Sequence, residues 1–208
     1  MSLFLEYARS TELYKALCLS MDSPHGNLLE RTSDETAEAQ TEFLRWALAQ
    51  CHTDAILETG TNKGLFGYFL SLIVFPSKWE CDLTTCDINP MSATQVAILN
   101  RGQCRVRARF VEGDTRTTLA NFHYPDYFDF AWIDGGHDYD TALSDLIKCN
   151  SLKIPFIAVD DTIDAHEPGE TDVRRAVDEF CEHWMYELVP NPFAAHDSRG
   201  AVLLRRQD

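Results

Sequence analysis

The sequence predicts an α/β protein with a mostly parallel sheet covered by helices on both faces. Three observations predict it. Strand-like and helix-like segments alternate through five units from residue 55 onward, a pattern that builds a parallel sheet with its crossover helices packed on either side. The ends of four of those strands carry carboxylates: Glu58, Asp87, Asp134 and the pair Asp160–Asp161. The chain closes on two further strand-like runs, "YELVPNP" and "GAVLLRR".

Taken in order, residues 2–19 read as a helix with Leu3, Leu5, Tyr7, Leu13 and Leu17 as much of its apolar surface. Thr32 with Glu35 three positions on is a capping-box signal for a helix reaching about Gln50. Then "AILETG" (55–60) is a strand and 63–75 a helix; "LTTCDI" (83–88) a strand and 91–101 a helix; "RVRARFVEG" (105–113) a strand with a short helix over 115–122. "FDFAWID" (128–134) is a strand followed by a helix over 138–150, and "IPFIAVDD" (154–161) is the fifth strand. Over 171–184, Val173, Ala176, Val177, Phe180, Cys181 and Trp184 recur at helical spacing. Residues 1–53 read as an N-terminal helical cap and 54–208 as the main domain.

The 208 residues are 45% hydrophobic and 25% charged, an ordinary globular mixture for a single domain. The net charge of −15 argues against a nucleic-acid partner, because such a surface repels phosphate backbones. Arg101, Arg105, Arg107 and Arg109 form the densest basic run, and the alternation of the last three reads as the solvated face of one strand. No apolar stretch has the length of a membrane span, and the start "MSLFLEYARSTELYK" lacks the basic opening of a signal peptide. The seven cysteines include no C-x-x-C pair, which suits reduced thiols in a cytoplasmic protein. The expectation is a cytoplasmic chain with no membrane partner, acting alone or as a homo-oligomer.

In open parallel sheets, ligands bind beyond the carboxyl ends of the strands, where the strand order reverses. With order 3-2-1-4-5 the reversal falls between "ETG" and "WIDGGH", so Glu58 and Asp134 would face one crevice. "ETGTNKG" places Gly60 and Gly64 at the turn into a helix, with Thr61 between them. Its G-x-x-x-G spacing is not the dinucleotide G-x-G-x-x-G, and an acid two residues ahead of the glycine repels phosphate but suits a cationic amino group. Asp87 ends the next strand, where an acid accepts hydrogen bonds from ribose hydroxyls. A ribose with an ammonium and no phosphate suggests S-adenosylmethionine. Gly113 and Asp114 in "EGDTRTTL" read either as the edge of an adenine site or as the N-cap of the following helix. Asp134, Asp160 and Asp161 would repel one another unless a cation neutralised them, which suits Mg²⁺ or another divalent ion such as Mn²⁺ or Ca²⁺. His137, three residues after Asp134, is a candidate general base; His166 is a weaker one. Phe66, Tyr68, Trp132 and Tyr139 read as packing residues.

"ILETGTNKG", "CDI", "EGDT", "FDFAWIDGGHDYDTALSDL" and "IAVDDT", in this order, resemble class I S-adenosylmethionine-dependent methyltransferases. The similarity is strongest to the metal-dependent small-molecule O-methyltransferase branch that includes macrocin-type tailoring enzymes and cephalosporin-hydroxylase-like proteins, and it covers about residues 54–180. It implies a Rossmann-like, doubly wound sheet of order 3-2-1-4-5-7-6 with the last strand antiparallel. It implies that Glu58, Gly60 and Gly64 line the methionine end of the donor, that Asp87 binds its ribose and that Asp114 lies near its adenine. It matches Asp134, Asp160 and Asp161 to metal carboxylates and His137 to a general base. One departure is that "SLKIPFIAVDD" lacks the family's glycine pair before strand five. The resulting expectation is methyl transfer to a hydroxyl of a small molecule, with divalent-metal assistance. The rivals are a nucleotide-dependent enzyme or a non-catalytic donor-binding protein on the same fold.

Overall fold

The computed structural model describes residues 11, 16, 34–51, 53–62, 64–74, 80–90, 92–101, 106–122, 127–163, 171–197 and 199–207. Helix α1 (Asp34–Leu48) precedes strand β1 (Ala55–Thr59), and α2 (Leu65–Val74) leads to β2 (Cys81–Asp87). Helix α3 (Ser92–Arg101), β3 (Val106–Glu112) and the short α4 (Thr115–Thr118) with its 3-10 turn (Leu119–Asn121) come next. Then follow β4 (Phe130–Ile133), α5 (Tyr139–Ser151), β5 (Phe156–Val159), α6 (Asp172–His183), β6 (Tyr186–Val189) and β7 (Val202–Arg206).

The seven strands pair in the order β3-β2-β1-β4-β5-β7-β6, as expected. Strands β1 to β5 are parallel, and β7 runs antiparallel between β5 and β6. The period-two alternation of side chains sorts the strands into two cores. Ile56, Phe130, Trp132, Ala158 and Leu203 face one side with α1 and α2. Leu57, Ala131, Ile133, Ile157, Val159 and Leu204 face the other with α5 and α6. All four residues of β4 are buried, which is why its sequence is an unbroken apolar run rather than an alternating one.

Helix α1 belongs to the sheet's own core rather than lying over it. Phe43, Leu44, Ala47 and Leu48 are buried against the sheet, and the Phe43 ring centroid is 6.4 Å from that of Trp132. The expected cap of residues 1–53 therefore includes a helix packed as part of the main domain. The predicted helix over 2–19 lies outside the described residues except for Ala16 and Thr11, whose hydroxyl meets that of Tyr68 at 2.8 Å. Thr32 and His166 also lie outside them.

The predicted elements differ from the observed ones mainly at their ends. Strand β2 begins two residues earlier than read, because Cys81 is buried and pairs with Val106 even though the exposed Asp82 interrupts the apolar run. On β3 the arginine alternation holds: Arg107 and Arg109 are exposed, Arg107 meets Asp82 at 2.7 Å, and Arg109 lies over the Phe122 ring. Among the described residues no helix is long and apolar enough to cross a membrane.

Candidate active site

The site is assembled at the carboxyl ends of β1 and β4, which are neighbours, with Glu58 opposite Trp132 and Thr59 opposite Ile133. The Asp134 amide donates to the Thr59 carbonyl at 3.0 Å, so the two strand ends are still joined where their loops depart. Gly60 sits at that junction with φ +86°, and a Cβ there would lie 1.9 Å from the Asp134 carbonyl oxygen. Its lack of a side chain is thus required first by the Asp134 backbone. Gly135 and Gly136 are likewise closed in by protein: a Cβ on Gly135 would meet the Thr59 hydroxyl at 3.2 Å, and one on Gly136 would meet Thr141 at 2.7 Å. Asp138 then caps α5, accepting from the Thr141 amide at 2.9 Å.

Glu58 is 1% exposed, and its Oε2 has no hydrogen-bond partner among the described residues. Burial pushes its pKa up to about 8; a hydrogen bond from Thr85 opposes that shift and the charge of Asp87 adds to it. Thr61 is buried, and its hydroxyl meets that of Thr85. Asp87 holds its own turn, accepting from the Asn62 amide at 2.5 Å and the Asn89 amide at 2.8 Å. Each of its carboxylate oxygens keeps a second lone pair for a diol. Of the two readings of Asp114, the helix cap is realised: it accepts from the Arg116 amide at 2.9 Å, and the Arg116 guanidinium closes on the same carboxylate at 2.6 Å. Gly113 packs against the Thr118 methyl, and Gly64 faces Gln95 of α3.

The second half of the site gathers five groups from three loops. The ligand-type atoms of Asp134, His137 and Asp161 lie within 4.8 Å of one another. His137 Nε2 is 3.1 Å from Asp161 and 3.9 Å from Asp134. Asp160, expected beside them as a third metal carboxylate, is turned inward and buried. It accepts from the Asp161 amide at 2.9 Å and from Gln40 of α1 at 3.2 Å on both oxygens. Burial pushes its pKa up to about 7 despite the nearby Arg199. Burial and the charge of Asp160 likewise hold Asp134 well above the usual carboxylate range.

Arg199, on the loop before β7, is the group that the sequence did not mark. Its Nε and Nη2 donate to the two oxygens of Asp161 at 2.5 and 2.6 Å, and Nη2 is 3.4 Å from Asp160 and 3.8 Å from Asp134. The donor set Asp134, His137 and Asp161 has the chemistry of a hard-cation site. With the guanidinium paired on both oxygens of Asp161, however, that set does not fit Mg²⁺, since one cation already holds the shared carboxylate.

A further buried acid, Asp145 of α5, lies beneath the loop of Gly135, 1% exposed. Burial pushes its pKa up to about 6, while the hydroxyls of Thr115 and Thr59 approach without completing well-formed hydrogen bonds. It shares the inner face of α5 with Ala142, Leu146 and Cys149. An acid at a core position of a helical repeat was the available signal for it. Phe66 and Trp132 stack at 5.1 Å, Tyr68 is buried, and Tyr139 hydrogen bonds to Glu179, so the four aromatics pack within the protein.

Solved structures share this architecture. A methyltransferase from Podospora anserina, bound to SAH, aligns with a TM-score of 0.64 at 14% identity over 99% of this chain and 94% of its own. An O-methyltransferase from Streptomyces achromogenes involved in tomaymycin synthesis, in complex with SAM, aligns with a TM-score of 0.61 at 16% identity over 98% and 95%. A TDP-rhamnose 3'-O-methyltransferase of calicheamicin biosynthesis aligns at 0.58 and 16% identity over 100% and 96%. No curated protein matches the chain in sequence. At such identities the likeness establishes the fold, and a sequence profile establishes the family. The profile described as "Methyltransferase domain" matches residues 57–161, from the middle of β1 through Asp161, and the chain belongs to that methyltransferase family.

Proposed function

We propose that this protein uses S-adenosylmethionine to methylate a hydroxyl of a small molecule. The observation that carries the reading is the buried Glu58 carboxyl at the β1–β4 switch point, whose Oε2 has no partner among the described residues and suits a cationic donor. When bound, the donor supplies a methyl group on a positively charged sulfur. Glu58 would receive its ammonium, Asp87 would accept from its ribose hydroxyls, and the Gly113–Asp114 turn would border its adenine by backbone.

His137 stands on the exposed rim beside Asp161. A neutral imidazole that donates its Nε2–H to Asp161 keeps Nδ1 as an acceptor. That nitrogen would take the proton of the acceptor hydroxyl as the oxygen attacks the methyl, with in-line positioning as the protein's main further contribution. Asp161 would orient the ring and stabilise it once charged. No step is routed through a metal, because the Arg199 guanidinium is already paired with both oxygens of Asp161. The test is methyl transfer from radiolabelled S-adenosylmethionine to a panel of hydroxylated small molecules. Donor-dependent product that is lost in His137→Ala is the expected result. Donor binding with no transfer to any hydroxyl, or transfer indifferent to His137→Ala, would count against the reading.

A further inference from the structure

We infer that Arg199 is a built-in replacement for a divalent cation: its guanidinium holds Asp134, Asp160 and Asp161 together, and the site works without a bound metal. The inference deepens the proposed function by saying how that site neutralises its acids.

The guanidinium contacts all three carboxylates, at 2.5 Å to Asp161, 3.4 Å to Asp160 and 3.8 Å to Asp134. A planar fork paired with both oxygens of one carboxylate is among the strongest ion-pair geometries available to a protein. A cation bridging Asp134 and Asp161 would have to share the Asp161 oxygens with it, at a separation where two positive charges repel strongly in a half-buried site.

The backbone around Arg199 is also fixed in place. Its amide donates to Asp197 at 3.1 Å, and its carbonyl accepts from the Ile163 amide at 3.0 Å. Asp197 is 3% exposed and takes a second amide, that of Ala201, at 2.8 Å. Thr162, directly after the acidic pair, hydrogen bonds to the Gly200 carbonyl. Gly200 has φ +74°, and a Cβ there would lie 2.4 Å from Ile163. The loop that delivers Arg199 is therefore bound, residue against residue, to the segment that carries Asp160 and Asp161. Asp161 itself has φ +58°. Its carbonyl accepts from Thr171 at 3.1 Å, so its carboxylate is presented to Arg199 and His137 from a fixed turn.

The direct test is titration of the full chain with Mn²⁺, read by the loss of the free-ion electron paramagnetic resonance signal, for wild type and Arg199→Met. The expected result is no binding by wild type below about 1 mM, the weak end of protein cation sites. In Arg199→Met, removal of the competing charge should tighten binding by at least about tenfold. Wild type that binds Mn²⁺ well below that range overturns the inference, as does a folded Arg199→Met that gains no affinity. If Arg199→Met does not fold, Arg199→Gln serves: it keeps a polar side chain that can hydrogen bond to Asp161 but carries no charge, so Mn²⁺ affinity should rise, and no rise overturns the inference. Calorimetry with S-adenosylmethionine on the same preparations separates the two claims. Failure of donor binding sinks the proposed function and leaves the Mn²⁺ result to decide the role of Arg199.

Discussion

Two acidic pockets lie on the same edge of the sheet, and they handle their charge in opposite ways. At the end of β1, Glu58 is buried with an unpartnered oxygen, and its carboxyl is pushed up to about 8. At the ends of β4 and β5, three carboxylates share the guanidinium of Arg199. Burying an acid without a full set of partners costs stability, and functional sites are where such groups cluster, although Asp145 shows that the core of α5 holds one too. The contrast is between an acid with one oxygen left without a partner among the described residues and a cluster in which Asp161 already has a guanidinium.

The largest effect is expected where the two pockets meet. Gly60→Ala would drive a Cβ into the Asp134 carbonyl at a positive φ, an overlap with no flexible side chain to yield. A loss above about 3 kcal/mol in denaturant unfolding is expected, together with loss of donor binding. Next, Glu58→Gln should weaken S-adenosylmethionine binding by about tenfold or more while stabilising the free protein. The sign follows from the raised pKa. The folded carboxyl is neutral at low pH, and the wild type loses stability relative to its unfolded chain as the pH rises from the ordinary glutamate value of 4.5 to about 8. Glutamine removes that loss, so the Tm advantage of the variant should widen across that window in thermal melts. If melting curves at pH 5 and pH 8.5 show the same gap, Glu58 is not held neutral.

His137→Ala sits on the exposed rim and should leave Tm and donor affinity unchanged while lowering kcat by about 100-fold. A proportionate loss of donor affinity would move His137 from acid–base work to binding. Asp197→Ala should cost about 1–3 kcal/mol in thermal or denaturant unfolding, because the Arg199 and Ala201 amides lose their acceptor. The smallest effect belongs to Arg107→Ala. Its ion pair with Asp82 is exposed on the outer strand, and less than about 1 kcal/mol is expected from it.

The difference between the pockets also marks how far the sequence could be read. The strands and the carboxylates at their ends were legible because alternation and buried apolar runs are local signals, whereas the strand order, and with it the β1–β4 crevice, came from the family resemblance. Glu58, Asp134 and His137 were placed at or just after strand ends by the same signals. Arg199 was not, because it reaches the cluster through tertiary contacts from a loop 38 residues beyond Asp161, with no periodicity or spacing to announce it. Gln40 crosses 120 residues to Asp160 and is equally silent in the sequence. The glycines of "WIDGGHDYD" were legible as glycines but not in their purpose. A Cβ on Gly135 or Gly136 would crowd Thr59 or Thr141, neighbours that their place in the chain does not announce. Residues whose role depends on what lies across the fold, rather than along the chain, were the ones missed.

The most direct test of the account is calorimetric titration with S-adenosylmethionine at pH 7 in two buffers of different ionisation enthalpy, for wild type and Glu58→Gln. The account expects binding by wild type with net proton release, as the donor's ammonium ionises Glu58, and weaker binding without that release in the variant. No binding, or equal binding with no proton release in either protein, would contradict it.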